Sequence, residues 1–531
     1  MHIVVNTLAI RFAFALLGVV TGFATHSADA QATQGSSPAA NQLPPPSNDP
    51  ATPDVVIPPS KLLHFDSQIR IPNRYMVKFK DDKALAADVS ARNAADMKIA
   101  PSLLPDSETN IKSLANSIST TYQQKEGKTN TILGVWTRPG GRGFGVEGIS
   151  EGDITELAQD PRVEFVEPDM YAQAQTVQIQ NTGKPSCSGN CAPWHLDRLD
   201  QRSGLDGLYH YDATGQGAIV VVIDTGWQLN HSDFSDIVSG GGATLLDCTS
   251  INGCANTLPP TSNYDCNGHG TAVTSVLAGK TFGVSKGVLT VYGLRASPDC
   301  SLNLTATAIV NAIQYARFAA EPISEVINMS FIFQGVNTIV DQWVNIVIDN
   351  GVTVVVAAGN AVNGIGNGSD ACNYTPAHNS RAIRVASTDS NDTRVSDSNF
   401  GPCIDIFAPG GSILSADNGG ALYSNTACAA VFPNTTATCF LSGTSFATPI
   451  VSGIAALYLQ NNMYADPATV KSVILANATM GAVQNAGAGS PNLLAYVGVP
   501  GNSSGGVVGG GGGGVVPANI VNVIVDTLLL Q

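Results

Sequence analysis

The stretch Ala218-Ile219-Val220-Val221-Val222-Ile223-Asp224-Thr225-Gly226 decides the fold. An unbroken apolar run stops at a carboxylate and a glycine. A strand with one wet face would alternate apolar and polar residues, so a continuous run marks a strand covered on both faces, as in a parallel sheet. Largely apolar rather than alternating runs return at residues 288–292, 326–329, 352–357, 383–386 and 404–407, with helical stretches at 306–316 and 340–349 between them. Strands alternating with helices predict an α/β, doubly wound parallel sheet with right-handed crossovers. Ligands gather beyond the carboxyl ends of such strands, which directs attention to Asp224.

Working outward, the sheet occupies residues 173–500 of a 531-residue chain. Charged residues make up only 13% and glycine is abundant, a composition that excludes a mostly disordered chain. The net charge of −15, with no basic run, excludes nucleic acid as a partner, since phosphate neutralisation needs clustered cations. At the N-terminus, Arg11, the apolar stretch 12–20 and Ala28-Asp29-Ala30 read as an export signal over residues 1–30. Residues 31–66, with Pro44, Pro45 and Pro46, read as a linker. Residues 67–172 read as a small α+β domain: a strand at 75–79, a helix at 151–159 capped by Ser150, and a strand from Val163 that ends before Pro168. Residues 501–531 form a glycine-rich tail whose apolar end is interrupted by Asn522 and Asp526, so no stable membrane insertion is expected. All ten cysteines fall between Cys187 and Cys439, and none has two-residue C-x-x-C spacing; disulfides of an exported protein are expected rather than a metal cluster.

Three residues carry the chemistry. Asp224 ends a strand, His269 stands in Asn267-Gly268-His269-Gly270-Thr271, and Ser445 stands in Ser442-Gly443-Thr444-Ser445-Phe446-Ala447-Thr448-Pro449. Singly they read as a turn aspartate, a loop histidine and a helix cap. Together they supply a nucleophile, a base and a group to orient the base, which is what acyl transfer requires. The order Asp, His, Ser separates the chain from α/β-hydrolases, whose serine comes first in G-x-S-x-G. That pattern does occur at Ser150, Ser285 and Ser503, as chance matches. Asp224-Thr225-Gly226 also suits an aspartic protease, but that chemistry needs two such carboxylates and the chain has one copy. A scaffold that only binds is the remaining alternative; labelling of Ser445 by a fluorophosphonate separates the serine reading from each of the other two.

These blocks, with Ala357-Ala358-Gly359-Asn360, Ile327-Asn328-Met329-Ser330 and Asp405 to Gly410, resemble the subtilases, in particular the proteinase K-like branch. The resemblance spans about residues 190 to 497. It implies a subtilisin-like fold and a secreted, monomeric serine endopeptidase acting on proteins and peptides without a cofactor for catalysis. It implies that Ser445 attacks, His269 relays the proton, Asp224 orients His269, and Asn360 donates to the oxyanion. Ala357, Ala358 and Gly359 would line the first specificity pocket. Ser330, Phe331 and Ile332 would clamp the substrate backbone where relatives usually carry glycines, so upstream subsites narrower than, or differently shaped from, those of broad-range relatives are expected. Residues 71–77 and 160–169 resemble the same family's inhibitory propeptide, implying a small ferredoxin-like domain that chaperones and inhibits until self-cleavage at about 170–185. Asp405, with the carbonyls of Ser380 and Ala382, would hold a structural calcium ion. The pairs Cys266–Cys300 and Cys372–Cys403 follow from bacterial relatives, and Cys248–Cys254, Cys428–Cys439 and Cys187–Cys191 are proposed as local bridges.

Overall fold

The chain first builds an α+β layer from β1 (Arg70–Phe79), α1 (Glu108–Glu126), β2 (Thr131–Trp136), β3 (Gly143–Glu147), α2 (Glu151–Leu157) and β4 (Val163–Ala174). The computed structural model describes residues 61–81, 107–127, 129–174, 192–250, 253–255, 265–319, 324–361, 366–417 and 438–498. β1 pairs antiparallel with β3 and β4, and β2 with β3. Ser107 and Ser150 cap α1 and α2 by accepting the amides of Asn110 and Asp153. Tyr75, Val77 and Phe79, alternate residues of β1, meet Ile111, Leu114 and Ile118 of α1 in a small core of their own.

Two expectations change here. The segment expected to be linker as far as residue 66 already packs at its end: the Leu63 amide donates to Val166 O at 2.9 Å, and Phe65 stacks on Tyr75. Its apolar side chains find the layer's surface. β4 does not stop at Pro168 but runs on to Ala174, across the expected boundary at 172/173. The proline's missing donor is tolerated because the pairing register shifts beside it, between Arg70 and Tyr75.

In chain order there follow β5 (Ile219–Asp224), β6 (Ala243–Asp247), α3 (His269–Ala278), β7 (Thr290–Arg295), β8 (Asn303–Thr305), α4 (Ala306–Ala319), β9 (Glu325–Met329), β10 (Phe331–Phe333) and α5 (Thr338–Asp349). Then come β11 (Thr353–Ala357), β12 (Ile383–Thr388), β13 (Ile406–Pro409), β14 (Ile413–Ala416), β15 (Thr438–Leu441), α6 (Thr444–Asn461), α7 (Pro467–Asn477), β16 (Thr479–Met480) and β17 (Leu493–Leu494). Nine strands form one sheet in the order β16-β17-β13-β12-β11-β9-β5-β7-β6, parallel except at β16/β17. Val220 and Val222 of β5 pack into one apolar layer with α3 and α6, while Val221 and Ile223 pack into the other with α4 and α5. Both faces are covered, as the unbroken apolar run of β5 requires. β5 lies between β7 and β9, the switch point at which strand order reverses, so Asp224 ends its strand where ligand crevices form.

Disulfides join Cys248 to Cys254, Cys266 to Cys300 and Cys372 to Cys403. The side chains of the pairs Cys187–Cys191 and Cys428–Cys439 lie outside the described residues, as do the export signal, the linker up to residue 60 and the tail from residue 499.

Candidate active site

His269 opens α3, and α3 can meet the end of β5 only through a glycine. A Cβ on Gly270 would stand 2.2 Å from Gly226 O. This approach puts His269 Nδ1 2.7 Å from Asp224 Oδ1, which also accepts the Thr225 amide at 2.7 Å. With Nδ1 donating to the carboxylate, the lone pair of the neutral ring is left on Nε2, which makes no hydrogen bond among the described residues. Ser445 is the second residue of α6. Its Oγ donates to Ser330 O at 2.9 Å, and Ser330 Oγ donates back to Ser445 O at 3.0 Å. The structure therefore joins Asp224 to His269 and turns the Ser445 hydroxyl to the residue preceding β10 rather than to the imidazole. All three side chains are buried.

Asn360 is held by its carboxamide oxygen, which accepts the Thr444 amide at 3.0 Å and Thr444 Oγ1 at 2.8 Å. This orients the amide nitrogen toward the turn into α6, where a Cβ on Gly443 would lie 2.6 Å from Asn360 Nδ2. Ala357 and Ala358 are buried at the end of β11, and Gly359 adopts φ +90°.

Sequence reasoning gave Asp265 no role, yet it organises the site. Its Oδ1 accepts Thr225 Oγ1 and the Gly268 amide at 2.8 Å, and its Oδ2 accepts the amide and hydroxyl of Thr271 at 2.8 and 2.7 Å. Asp265 thus ties the loop after Asp224 to the first turn of α3. The signal was present as a carboxylate four residues before His269, but only the fold shows which donors converge on it. Cys266, next to it, is bridged to Cys300, as the resemblance implies. Two of the chance G-x-S-x-G serines are structural as well: Ser150 caps α2, and Ser285 donates to Leu277 O, while Ser503 lies outside the described residues.

The last residues of β4 enter this site. Tyr171, Ala172 and Gln173 pair antiparallel with Thr305, Leu304 and Asn303 of β8. On the other side, Ala172, Gln173 and Ala174 pair antiparallel with Phe333, Ile332 and Phe331 of β10. Upstream, Glu167 accepts the amides of Thr338 and Ile339 at the start of α5, and Asp169 accepts the amide and hydroxyl of Thr307 at the start of α4. Each carboxylate faces the positive end of a helix.

The expected calcium site is built differently. Lys471 Nζ donates to Ser380 O and Ala382 O, both at 2.8 Å, and to Asp405 Oδ2 at 2.7 Å. Arg384 adds a bidentate contact to the same carboxylate at 2.8 Å. The three oxygens nominated for calcium already face an ammonium, and a divalent ion beside that ammonium and a guanidinium would be repelled. The residues present do not fit calcium.

Among known proteins, the family model described as Subtilase family matches residues 215–498. An extracellular serine proteinase of Thermus sp. (strain Rt41A) is 36% identical over 437 residues, covering 82% of this chain and 92% of its own. Proteinase R of Parengyodontium album is 32% identical over 360 residues, 67% of this chain and 79% of its own. The crystal structure of fervidolysin from Fervidobacterium pennivorans, described as a keratinolytic enzyme related to subtilisin, is 18% identical; its match has a TM-score of 0.56, covers 81% of this chain and 61% of that one, and speaks for the fold alone. The likeness runs through the segment that carries Asp224, His269, Asn360 and Ser445. The chain belongs to the subtilase family and is a secreted serine-type endopeptidase.

Proposed function

We propose that the chain is a self-processing zymogen whose acyl transfer is carried by Ser445, His269, Asp224 and Asn360. The 2.7 Å contact between His269 Nδ1 and Asp224 Oδ1 carries this reading, because it leaves Nε2 as the proton acceptor. For catalysis the Ser445 hydroxyl turns from Ser330 O to Nε2. Ser445 Oγ then attacks the peptide carbonyl as His269 takes its proton, and His269 returns that proton to the leaving amine. Asp224 stabilises the imidazolium formed in between. The oxyanion is met by the Asn360 amide and the Ser445 backbone amide, at the positive end of α6. Water attacks the acyl-enzyme by the same route in reverse. No cofactor takes part.

The α+β layer acts on this reading as an inhibitory propeptide and folding template. In support, β4 lies between β8 and β10 as an extended substrate backbone would, paired with Phe331 and Ile332, and Ile332 in turn packs against Ala358 and Gly359. Ala172 and Ala174 bury themselves in the same apolar layer as Phe331 and Phe333, which supports upstream subsites shaped for small side chains.

The test uses purified Ser445→Ala protein. Kept free of other proteases, it should retain the α+β layer, while the parent chain loses it and is then labelled at Ser445 by a fluorophosphonate. A Ser445→Ala chain that still loses the α+β layer with no other protease present would rule out self-cleavage by Ser445.

A further inference from the structure

Building on the protease reading, we propose that Ile332 occupies part of the first specificity pocket, so that the enzyme cleaves after small or slender unbranched side chains and rejects aromatic ones. The argument begins with register. Ile332 faces Gln173 and Phe331 faces Ala174, and the next step along this strand is Ser330, whose carbonyl receives the Ser445 hydroxyl. The substrate residue whose carbonyl Ser445 attacks therefore lies opposite Ser330. Paired residues of an antiparallel sheet project to the same face, and residues two apart on one strand do so too. The side chain of that substrate residue shares its face with Ile332.

That face is the one toward the end of β11. Phe331 and Phe333 join the core layer with Ala172 and Ala174, but Ile332 joins a separate cluster with Ala358, Ala371, Ala377 and Phe407. It is fully buried there, and a Cβ built on Gly359 would stand 2.4 Å from its Cδ1 and 3.2 Å from its Cγ1. The isoleucine thus fills the space against Gly359 down to contact, beside the strand end that precedes Asn360. A β-branched side chain has few rotamers with which to withdraw. A planar ring is too wide and rigid to enter beside the Ile332 side chain, whereas a methyl group or a flexible straight chain demands less of the same space. Discrimination by a single methylene in an apolar pocket reaches about 10- to 200-fold, so the four side-chain carbons of Ile332 are enough to set a preference.

The experiment measures kcat/KM of the active-site-titrated enzyme on peptide p-nitroanilides identical except for Ala, Gln, Leu or Phe before the scissile bond. The parent enzyme should favour Ala and Gln over Phe, and Ile332→Gly should raise the Phe/Ala ratio by about tenfold or more. Ile332→Val serves as a milder variant, with a smaller shift in the same direction, should the glycine variant fail to fold. A parent enzyme that prefers Phe, or a ratio unchanged in every folded variant, overturns the proposal. Titration with the fluorophosphonate keeps the two readings apart: labelling without the expected preference rejects the role of Ile332 alone, and absence of labelling at Ser445 rejects the catalytic assignment beneath it.

Discussion

Lys471 donates to Asp405 across 2.7 Å and holds the carbonyls of Ser380 and Ala382 with its two other protons. An ammonium has three donors, and here each finds one oxygen. Burial pushes the lysine pKa below its ordinary value, while the Asp405 carboxylate acts in the opposite sense. Removing the lysine leaves two carbonyls and part of a carboxylate without their donor.

Lys471→Met should therefore destabilise the protein by about 2 kcal/mol in urea unfolding, measured in a Ser445→Ala background to prevent autolysis. Any rise in Tm on adding calcium should be the same size in Asp405→Asn as in the parent. A calcium increment that disappears in Asp405→Asn would show that the ion binds there after all.

Thr444 fixes the oxygen of Asn360, and so the direction of its amide nitrogen. Asn360→Ala should lower kcat by about 10²- to 10³-fold with KM little changed, since the lost donor acts on charge that develops only in the transition state. Thr444→Val keeps the backbone donor but loses the hydroxyl. Its effect on kcat should be smaller and again leave KM unchanged; a rise in KM alone would place Thr444 in substrate binding instead.

Asp265 accepts hydrogen bonds from Thr225, in the loop after Asp224, and from Gly268 and Thr271, in the loop and helix that carry His269. Asp265→Ala would orphan buried donors, each worth about 1–3 kcal/mol. The variant should show a lower unfolding midpoint together with reduced fluorophosphonate labelling of Ser445. An unaltered labelling rate would mean that Asp265 stabilises the fold without positioning His269.

Two histidines away from the site give opposite pH dependences. His378 lies 2.7 Å from Asp341 Oδ2, and this hydrogen bond raises its pKa above the usual value. A raised histidine pKa contributes stability that is full below about pH 6.5 and is lost as pH rises through the folded-state value. The stability difference between the parent and His378→Gln should therefore be larger at pH 5.5 than at pH 9. His195, fully buried against Phe282 O, is pushed down to about 4 by burial. Its contribution is present above about pH 6.5 and disappears as pH falls through 4, so the His195→Gln difference should shrink with acidification. Unfolding free energies of the Ser445→Ala chain and both variants at three pH values check both signs.

The sheet was legible because covered parallel strands leave a mark that needs no partner to be read: β5 is apolar at every position before Asp224, β11 at every position after Thr353, and β9 and β12 carry shorter apolar stretches without strict alternation. The candidate catalytic residues were legible because each sits at an element's end, flanked by glycines that the backbone geometry demands. Less was visible in the α+β layer. α1 carries Ile111, Leu114, Ala115, Ile118 and Tyr122 at helical spacing, but serines, threonines and asparagines dilute the stripe.

The sequence by itself determined which chemistry was on offer and in what order along the chain, since residue type and local periodicity are properties of short stretches. Only the tertiary structure decided that Lys471, 66 residues beyond Asp405, stands where a metal was expected. It alone turned Ile332 toward Gly359 and aimed the Ser445 hydroxyl at Ser330 rather than at His269. Those facts depend on side chains from distant segments competing for the same few ångströms, and no local pattern encodes the outcome of that competition.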